Sequence, residues 1–132
     1  MAVQIPLVVI NGQLERVPSG DTLAVGTIST TAVFSAVHNF TPASGGDTYA
    51  VTASDEIVLV VTATFACGVL LPTPVGQSGR NITVKDKSFN AGTNNIAVST
   101  AAGLIDGSAT YPVVLNAKST AFVSDGANWF VI

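Results

Sequence analysis

Residues 57–71 read IVLVVTATFACGVLL, and this stretch decides the fold class. Its 15 residues are too few for a helix that crosses a bilayer, which needs about 20. Val and Ile recur in it, and β-branched side chains pack well on the pleated surface of a sheet. We therefore predict buried β-structure here and no membrane segment.

On both sides of this stretch, short apolar runs alternate with turn residues, and no long window has helix-forming residues at helical spacing. The pairs Asn11-Gly12, Asp106-Gly107 and Asp125-Gly126 tolerate positive φ and predict tight hairpin turns. We expect an all-β fold, an antiparallel β-sandwich, jelly-roll-like or small barrel, with an N-terminal hairpin or arm. The predicted strands are Val3–Ile10, Gln13–Val17, Leu23–Phe34, Tyr49–Thr52, Glu56–Ala66, Asn81–Lys85, Asn95–Thr100, Pro112–Leu115, Ser119–Ser124 and Asn128–Ile132.

The length of 132 residues fits one domain, or at most two small ones. A polar loop from Asn39 through Thr48, which contains Pro42 and Gly45-Gly46, separates two parts of the sequence. We expect residues 1–47 to form an N-terminal hairpin or arm region and residues 48–132 to form the compact β domain.

The charge content is low. Charged residues make up 10% of the chain, apolar residues 48%, and the formal net charge is −3 with only five basic residues. Binding to nucleic acid draws affinity from many phosphate contacts by Lys and Arg, so this composition argues against a nucleic-acid partner. A surface so poor in charge favours contacts with protein partners.

Three runs are apolar on both strand faces: Leu7–Ile10, Ile57–Val61 and Trp129–Ile132. A half-exposed strand alternates apolar with polar residues, so one face of such a run should meet other protein. Central strands of a sandwich are the alternative explanation. We predict a homo-oligomer, a trimer in the first instance, and the candidate interface or anchor residues are Leu7, Val8, Val9, Ile10, Trp129, Phe130, Val131 and Ile132.

Signals for catalysis are weak. His38 is the only histidine, and no G-x-S-x-G nucleophile elbow, phosphate loop or dinucleotide fingerprint occurs in the sequence. Asp55 and Glu56 are adjacent, and adjacent strand residues point to opposite faces, so the two carboxylates should not converge on one substrate. We therefore expect a non-enzymatic protein with no catalytic residue and no cofactor.

The cysteine count and the oxygen-rich loops bear on metal binding. Cys67 is the only cysteine, which excludes an intrachain disulfide and a cysteine metal site. The loop from residue 86 to 95, with Asp86, Asn90, Asn94 and Asn95, offers oxygen ligands that could suit calcium. Turn formation explains the same residues, because Asp and Asn side chains bond nearby backbone, and we predict no metal site.

Four short motifs in the second half of the chain are familiar as a set: ITVKD at residues 82–86, AGTNN at 91–95, IDG at 105–107 and SDGANW at 124–129. Together they resemble a β-rich module of tailed-bacteriophage virion proteins, especially head and tail fibres and capsid decoration proteins. The opening MAVQIPLVVINGQLERVPSGDTL at residues 1–23, with its Asn-Gly pair and the following Pro-Ser-Gly-Asp, also resembles the start of phage structural proteins. The resemblance covers about 75 of the 132 residues, chiefly the last 53.

The resemblance implies a virion structural protein. Its leading form is a capsid decoration (cement) protein, made in the host cytoplasm, that binds the major capsid protein and stabilises the shell. The alternative is a head- or tail-fibre module that binds a host glycan or protein receptor. Fibres that carry this module are generally far longer than 132 residues, which favours decoration. Ala121-Phe122-Val123 departs from the pattern, which often has an aromatic residue before the closing turn, so ligand contacts of relatives are not carried over.

Overall fold

A computed structural model describes residues 7–10, 13–16 and 35–132 of the chain. These ranges contain strands, turns and bends, and no helix. The all-β prediction is therefore confirmed for them. The predicted strand Leu23–Phe34 lies outside the described residues. The strands are β1 Leu7–Ile10, β2 Gln13–Arg16, β3 Val37–Phe40, β4 Thr48–Ala50, β5 Ile57–Val60, β6 Cys67–Leu71, β7 Asn81–Asp86, β8 Ile96–Thr100, β9 Thr110–Val113, β10 Ser119–Ser124 and β11 Trp129–Val131.

The chain divides into two units, Met1–Val33 and Phe34–Ile132. In the first unit, β1 pairs antiparallel with β2 and Ile10 lies opposite Gln13, as the Asn11-Gly12 signal predicts for a hairpin. The larger unit begins before the expected boundary at residue 48, because β3 pairs in parallel with β5 and so belongs to the same sheet.

Two mixed sheets build the larger unit. One has five strands in the order β11-β10-β7-β5-β3, and the other has four in the order β4-β6-β8-β9. The expectation of an antiparallel fold is wrong for this unit, since four of its strand pairs are parallel: β3–β5, β5–β7, β4–β6 and β6–β8. The predicted alternative of a small barrel is also wrong, because both sheets are open and end in edge strands.

The parallel pairing follows from how the chain winds. From β3 to β8, consecutive strands alternate between the two sheets, so each strand returns to its own sheet in the same direction after one strand in the other. A parallel pair needs such a crossover connection. Residues in equivalent positions of successive windings lie side by side, Val37 beside Ile57 beside Thr83, and Thr48 beside Gly68 beside Ala97. This winding is of the solenoid type, and β9, β10 and β11 complete it with antiparallel pairs.

Both sheets contribute to one hydrophobic core. Alternate residues of β5, β6, β7 and β10 are buried, as expected where one face of a sheet packs inward. The rings of Tyr111 and Phe122, from different sheets, meet edge to face with centroids 5.7 Å apart. The buried apolar side chains are Val51, Val58, Val60, Cys67, Val69, Leu71, Ile82, Val84, Ala91, Ile96, Val98, Ile105, Val113, Phe122 and Trp129.

Thr120 places a hydroxyl group inside the hydrophobic core. Its side chain points into the core from β10, and its hydroxyl is the one buried side-chain polar atom among the described residues that has no hydrogen-bond partner. We expect Thr120→Val, which keeps the shape and removes the hydroxyl, to raise the free energy of unfolding by about 1 kcal/mol. Urea unfolding followed by circular dichroism measures the change.

The matched control is Thr62→Val. The Thr62 hydroxyl is equally buried but donates a hydrogen bond to Asp86 Oδ1 at 2.7 Å, so the same replacement should destabilise the protein there. A Thr120→Val protein that loses as much stability as Thr62→Val would contradict this account of the core.

Candidate functional surfaces

The C-terminal strand divides the predicted anchor residues between two faces. Trp129 is 0% exposed, its Nε1 donates to Pro72 O at 3.0 Å, and Val131 packs partly against the same core. Phe130 and Ile132 lie on the opposite face, 39% and 70% exposed. Trp129 therefore stabilises the fold, whereas Phe130 and Ile132 are free to meet a partner. The side chains of the other predicted anchors, Leu7, Val8, Val9 and Ile10, lie outside the described residues, and only their strand pairing is seen.

The SDGANW and IDG motifs form local structure around Trp129. Asp125 Oδ1 accepts hydrogen bonds from the amides of Ala127 and Asn128 at 2.8 and 2.7 Å, which closes the turn between β10 and β11. Asn128 Oδ1 accepts from the amide of Leu104 at 3.0 Å, and Asp106 Oδ1 accepts from that of Val131 at 3.2 Å. These polar side chains satisfy backbone groups at the end of the sheet.

Asp86, the last residue of the ITVKD motif, is buried and organises two loops. Its Oδ1 accepts from the Thr62 hydroxyl at 2.7 Å and the Ser88 amide at 3.2 Å. Its Oδ2 accepts from the amides of Ala91 and Ala117, each at 3.0 Å. Sequence reasoning placed Asp86 in a turn but did not find its long-range partners Thr62 and Ala117.

The asparagines of the same loop also bond the protein itself. Asn94 Nδ2 donates to Thr62 O at 2.8 Å, and Asn90 Nδ2 donates to the same oxygen at 3.2 Å. Within the described ranges, no three His, Cys, Asp or Glu side chains form a group that could hold a metal ion. The side chains of this loop therefore have a structural role: Asp86 bonds the nearby amides of Ser88 and Ala91, as the expected turn chemistry requires, whereas Asn90 and Asn94 bond a distant carbonyl that the sequence did not indicate.

A second buried carboxylate, Asp55, lies beside an aromatic layer at the β3–β4 end of the core. Its Oδ2 accepts from Tyr49 Oη at 2.7 Å, from the Thr52 amide at 2.7 Å and from the Thr52 hydroxyl at 2.8 Å. The ring of Tyr49 stacks on His38 with centroids 4.0 Å apart and on Phe40 with centroids 5.6 Å apart. Asp55 is buried and Glu56 is exposed, so the two carboxylates point apart, and His38 serves here as a packing partner.

The buried acids make stability depend on pH. Burial alone would raise the pKa of Asp55 and Asp86, but the hydrogen bonds described above hold the pKa of each carboxyl below its ordinary value. A lowered folded pKa gives stability that is present above the unfolded pKa of about 3.9 and is lost as the pH falls through the folded one. Burial, together with Asp55, raises the pKa of Tyr49 to about 12. The stability that Tyr49 contributes is therefore lost as the pH rises above its unfolded pKa of about 10.

We therefore expect the urea midpoint to be level between about pH 5 and pH 9 and to fall on both sides of that range. Trp129 fluorescence against urea, repeated at each pH, measures it. The result that counts against these pKa shifts is a midpoint that does not change between about pH 6 and pH 3.

A polar groove of about 800 Å³ lies where β5 and β7 begin, and its volume is in the range of ligand sites. Arg80 is fixed at its side, with Nη2 donating to Thr52 O at 2.6 Å and to Asp55 O at 3.1 Å. Its Nη1 donates to Gln77 Oε1 at 2.5 Å. The groove offers hydroxyl, amide, carboxylate and guanidinium groups from Ser35, Ser54, Glu56, Arg80, Asn81 and Thr83.

The outer face of the five-stranded sheet is the face turned away from the core, and it mixes apolar with polar residues. Successive strands contribute to it Phe130 and Ile132, then Ser119, Ala121 and Val123, then Asn81, Thr83 and Lys85, then Ile57 and Leu59, then Val37 and Asn39. The inner face of the same strands fills the core, so β5 is apolar on both faces, as the sequence of residues 57–61 predicts.

No protein-family model matches this chain, and no curated protein matches it. The described part of the chain includes no helix long and apolar enough to span a membrane.

Proposed function

We propose that this chain is a non-enzymatic structural protein of a tailed-phage virion, and that it decorates the capsid by binding the major capsid protein and stabilising the shell. One observation carries the proposal. The motifs that resemble the phage module all serve the fold: Asp86 joins two loops, Asp125 closes a turn, and Trp129 fills the core. Residues with such roles maintain the fold. We therefore assign the function of the protein to its surface.

The surface supports a protein that works by contact with other proteins. The outer face of the five-stranded sheet exposes Val37, Phe130 and Ile132, and charged residues are 10% of the chain. A contiguous apolar patch that remains exposed on a folded unit marks an interaction site, and Phe130 and Ile132 would form part of such a patch at the β11 side of the sheet. We further propose that the two sheets pack face to face as a β-sandwich and that the protein acts as a homo-oligomer of three copies at the virion surface.

The polar groove favours a second candidate function, a fibre module that binds a host receptor. Its Glu56, Arg80 and Asn81 can donate and accept hydrogen bonds in the way that sugar hydroxyls require. In that case the ligand is a host glycan, and the protein lies at the tip of a fibre.

The number of copies per virion separates the two functions. A protein that decorates the shell is present in proportion to the capsid lattice, whereas a receptor-binding tip is present in a few copies for each fibre. Quantitative mass spectrometry of purified virions against the major capsid protein gives this ratio. A ratio that matches the lattice supports decoration. A ratio that matches the fibres, or no copy in the virion, contradicts it.

Shell stability provides the second measurement. Virions that lack this chain should release their DNA at a lower temperature than intact virions, and adding the purified protein should restore the original temperature. Unchanged heat release in the deficient virions would show that the chain does not stabilise the shell.

A further inference from the structure

The connections between the strands of the larger unit gather at two ends. Because β3, β5 and β7 run in the same direction, the connections that follow them lie at one end, and they are residues 41–47, 61–66 and 87–95. Val113 lies opposite Ile96 and Ser119 opposite Lys85, which brings the connection between β9 and β10, residues 114–118, to the same end. We call these four connections and the strand ends that they join the lysine end.

All three lysines of the chain lie at the lysine end, Lys85 near the end of β7 and Lys87 and Lys118 in the connections. Lys87 Nζ donates to Asn39 Oδ1 at 2.6 Å, and Lys85 Nζ donates to Ala117 O. Both acceptors are neutral, so these hydrogen bonds leave the positive charges uncancelled. Lys118 is exposed.

The acidic side chains of the larger unit are distributed differently. Two of them lie at the lysine end and both bind their own chain, since Asp86 is buried with four hydrogen bonds and Asp47 Oδ2 accepts from the amide of Ala43 at 3.0 Å. The other four lie at the opposite end together with Arg80, and they are Asp55, Glu56, Asp106 and Asp125. The lysine end thus presents positive charge on a chain whose net charge is −3, which favours a partner surface that is acidic.

The lysine end also exposes three large apolar side chains. Phe89 is 64% exposed in one connection, and Leu115 and Val114 are 63% and 50% exposed in another. The two connections are adjacent, because the amide of Gly92 donates to Asn116 Oδ1 at 2.8 Å and both connections donate to Asp86. An aromatic anchor with aliphatic neighbours and a charged rim has the composition of a protein-binding surface.

The backbone of Phe89 is strained and fixed. Its φ of 61° lies in the left-handed region, which costs free energy for a residue with a bulky side chain. Its neighbours hold it there, since the amide of Ser88 donates to Asp86 Oδ1 at 3.2 Å and Asn90 Nδ2 donates to Thr62 O at 3.2 Å. Strain of this kind clusters where a residue serves function, and the exposed ring fills no place in the core.

We propose that the lysine end is the surface that binds the virion shell, with Phe89 entering an apolar pocket of the shell protein and Lys87 and Lys118 facing acidic side chains around that pocket. The proposal rests on the proposed function and deepens it, because it names the binding surface and the chemistry of the partner. Leu115 and Val114 extend the apolar contact beside the ring.

The rigidity of Phe89 favours a protein over a lipid membrane as the partner. A side chain that is already fixed loses little freedom when it enters a pocket of fixed shape, and this raises affinity. A fluid bilayer adapts to any arrangement of apolar side chains, so strain at Phe89 would bring no advantage there.

Binding of variants to heads tests the anchor. The purified full chain is mixed with heads of virions that lack it, and pelleting the heads separates bound from free protein. Phe89→Ala should bind about 30-fold more weakly than the unchanged chain, as truncation of an aromatic anchor does. Val75→Ala is the matched control, because Val75 is 68% exposed at the opposite end, and its binding should be unchanged.

Phe89→Gly separates binding from folding. Glycine adopts positive φ without strain, so this variant removes the ring and the strain together. Its urea midpoint should equal or exceed that of the unchanged chain, while its binding to heads should be as weak as that of Phe89→Ala. A variant that binds weakly because it is unfolded would show a lower midpoint.

A double variant tests the charges. Lys87→Gln with Lys118→Gln should bind heads about tenfold more weakly at low salt, and its binding should fall less with added NaCl than that of the unchanged chain. Equal salt dependence in the two proteins would show that the lysines do not face acidic groups, and would overturn that part of the proposal.

The remaining outcomes separate this proposal from capsid decoration. If Phe89→Ala binds heads as tightly as the unchanged chain, or if Ile132→Ser alone loses binding, the contact lies elsewhere, and the proposal is overturned while decoration stands. If the unchanged chain does not bind heads, both are overturned. Tighter binding to vesicles of phosphatidylglycerol and phosphatidylcholine than to heads would assign the lysine end to a membrane and overturn the proposal as well.

Discussion

Replacing Trp129 with alanine is expected to lower the free energy of unfolding by about 3–5 kcal/mol, which is a large part of the roughly 5–15 kcal/mol available to a domain. Trp129 is 0% exposed, and its removal leaves a cavity between β11 and the loop that contains Pro72. It also leaves Pro72 O without the hydrogen bond from Nε1. Urea unfolding followed by far-ultraviolet circular dichroism measures the loss.

Two comparisons make this result specific. Trp129→Phe retains most of the buried ring area and should lose less, since it removes chiefly the hydrogen bond to Pro72. Phe89→Ala removes an aromatic ring that is 64% exposed and should change stability by no more than about 0.5 kcal/mol. An unchanged midpoint for Trp129→Ala would show that Trp129 lies on the surface, and this would favour the receptor-binding function.

Replacing Asp86 with alanine is expected to cost about 3–5 kcal/mol as well, because it removes the acceptor of four hydrogen bonds in a buried place. The amides of Ser88, Ala91 and Ala117 and the hydroxyl of Thr62 then lose their partner. Asp86→Asn should be almost as harmful. Its carbonyl replaces one carboxylate oxygen only, so its NH₂ group must face N–H or O–H donors. The urea midpoint again provides the measurement.

Asp47→Ala is the matched control. The Asp47 carboxylate is half-buried in the loop before β4 and accepts one hydrogen bond from the amide of Ala43 at 3.0 Å, so its loss should cost no more than about 1 kcal/mol. If both Asp86 variants were as stable as Asp47→Ala, Asp86 would not be the residue that joins the two loops.

Much of the strand content could be predicted from the sequence. The run Ser119–Ser124 coincides with β10, and Asn81–Lys85 differs from β7 by one residue. These strands carry the alternating pattern of a sheet with one face in the core, and Gly or Asp-Gly residues bound them. Local side-chain chemistry is sufficient to locate such elements.

The division of residues 57–71 into β5 and β6 could not be predicted, because no Gly or Pro marks the bend between Val61 and Ala66. Distant residues hold it instead. The Ser88 hydroxyl accepts from the Thr62 amide at 2.6 Å, and Asn90 and Asn94 donate to Thr62 O. A window of sequence around Thr62 contains none of these partners. The parallel topology escaped prediction for a related reason, since turn signals show where a strand ends but not which sheet the next strand joins.

The candidate surfaces were partly visible in the sequence. The two-faced apolar pattern of Trp129–Ile132 located the strand that separates core from outer face, but it could not say which pair is buried. Register decides this, because Ser124 lies opposite Trp129 and Phe122 opposite Val131, and both partners point into the core. The polar groove was not predicted, since it joins residues 53–57 to residues 79–83 and only the parallel pairing of β5 with β7 brings them together.

The position of this chain on an intact virion tests the central claim most directly. Gold-labelled antibody raised against the purified protein, applied to purified virions and viewed by electron microscopy, shows that position. Capsid decoration predicts label distributed over the whole surface of the head, with none on virions that lack the chain. Label confined to the tail or to fibre tips, or no label on any virion, would contradict it.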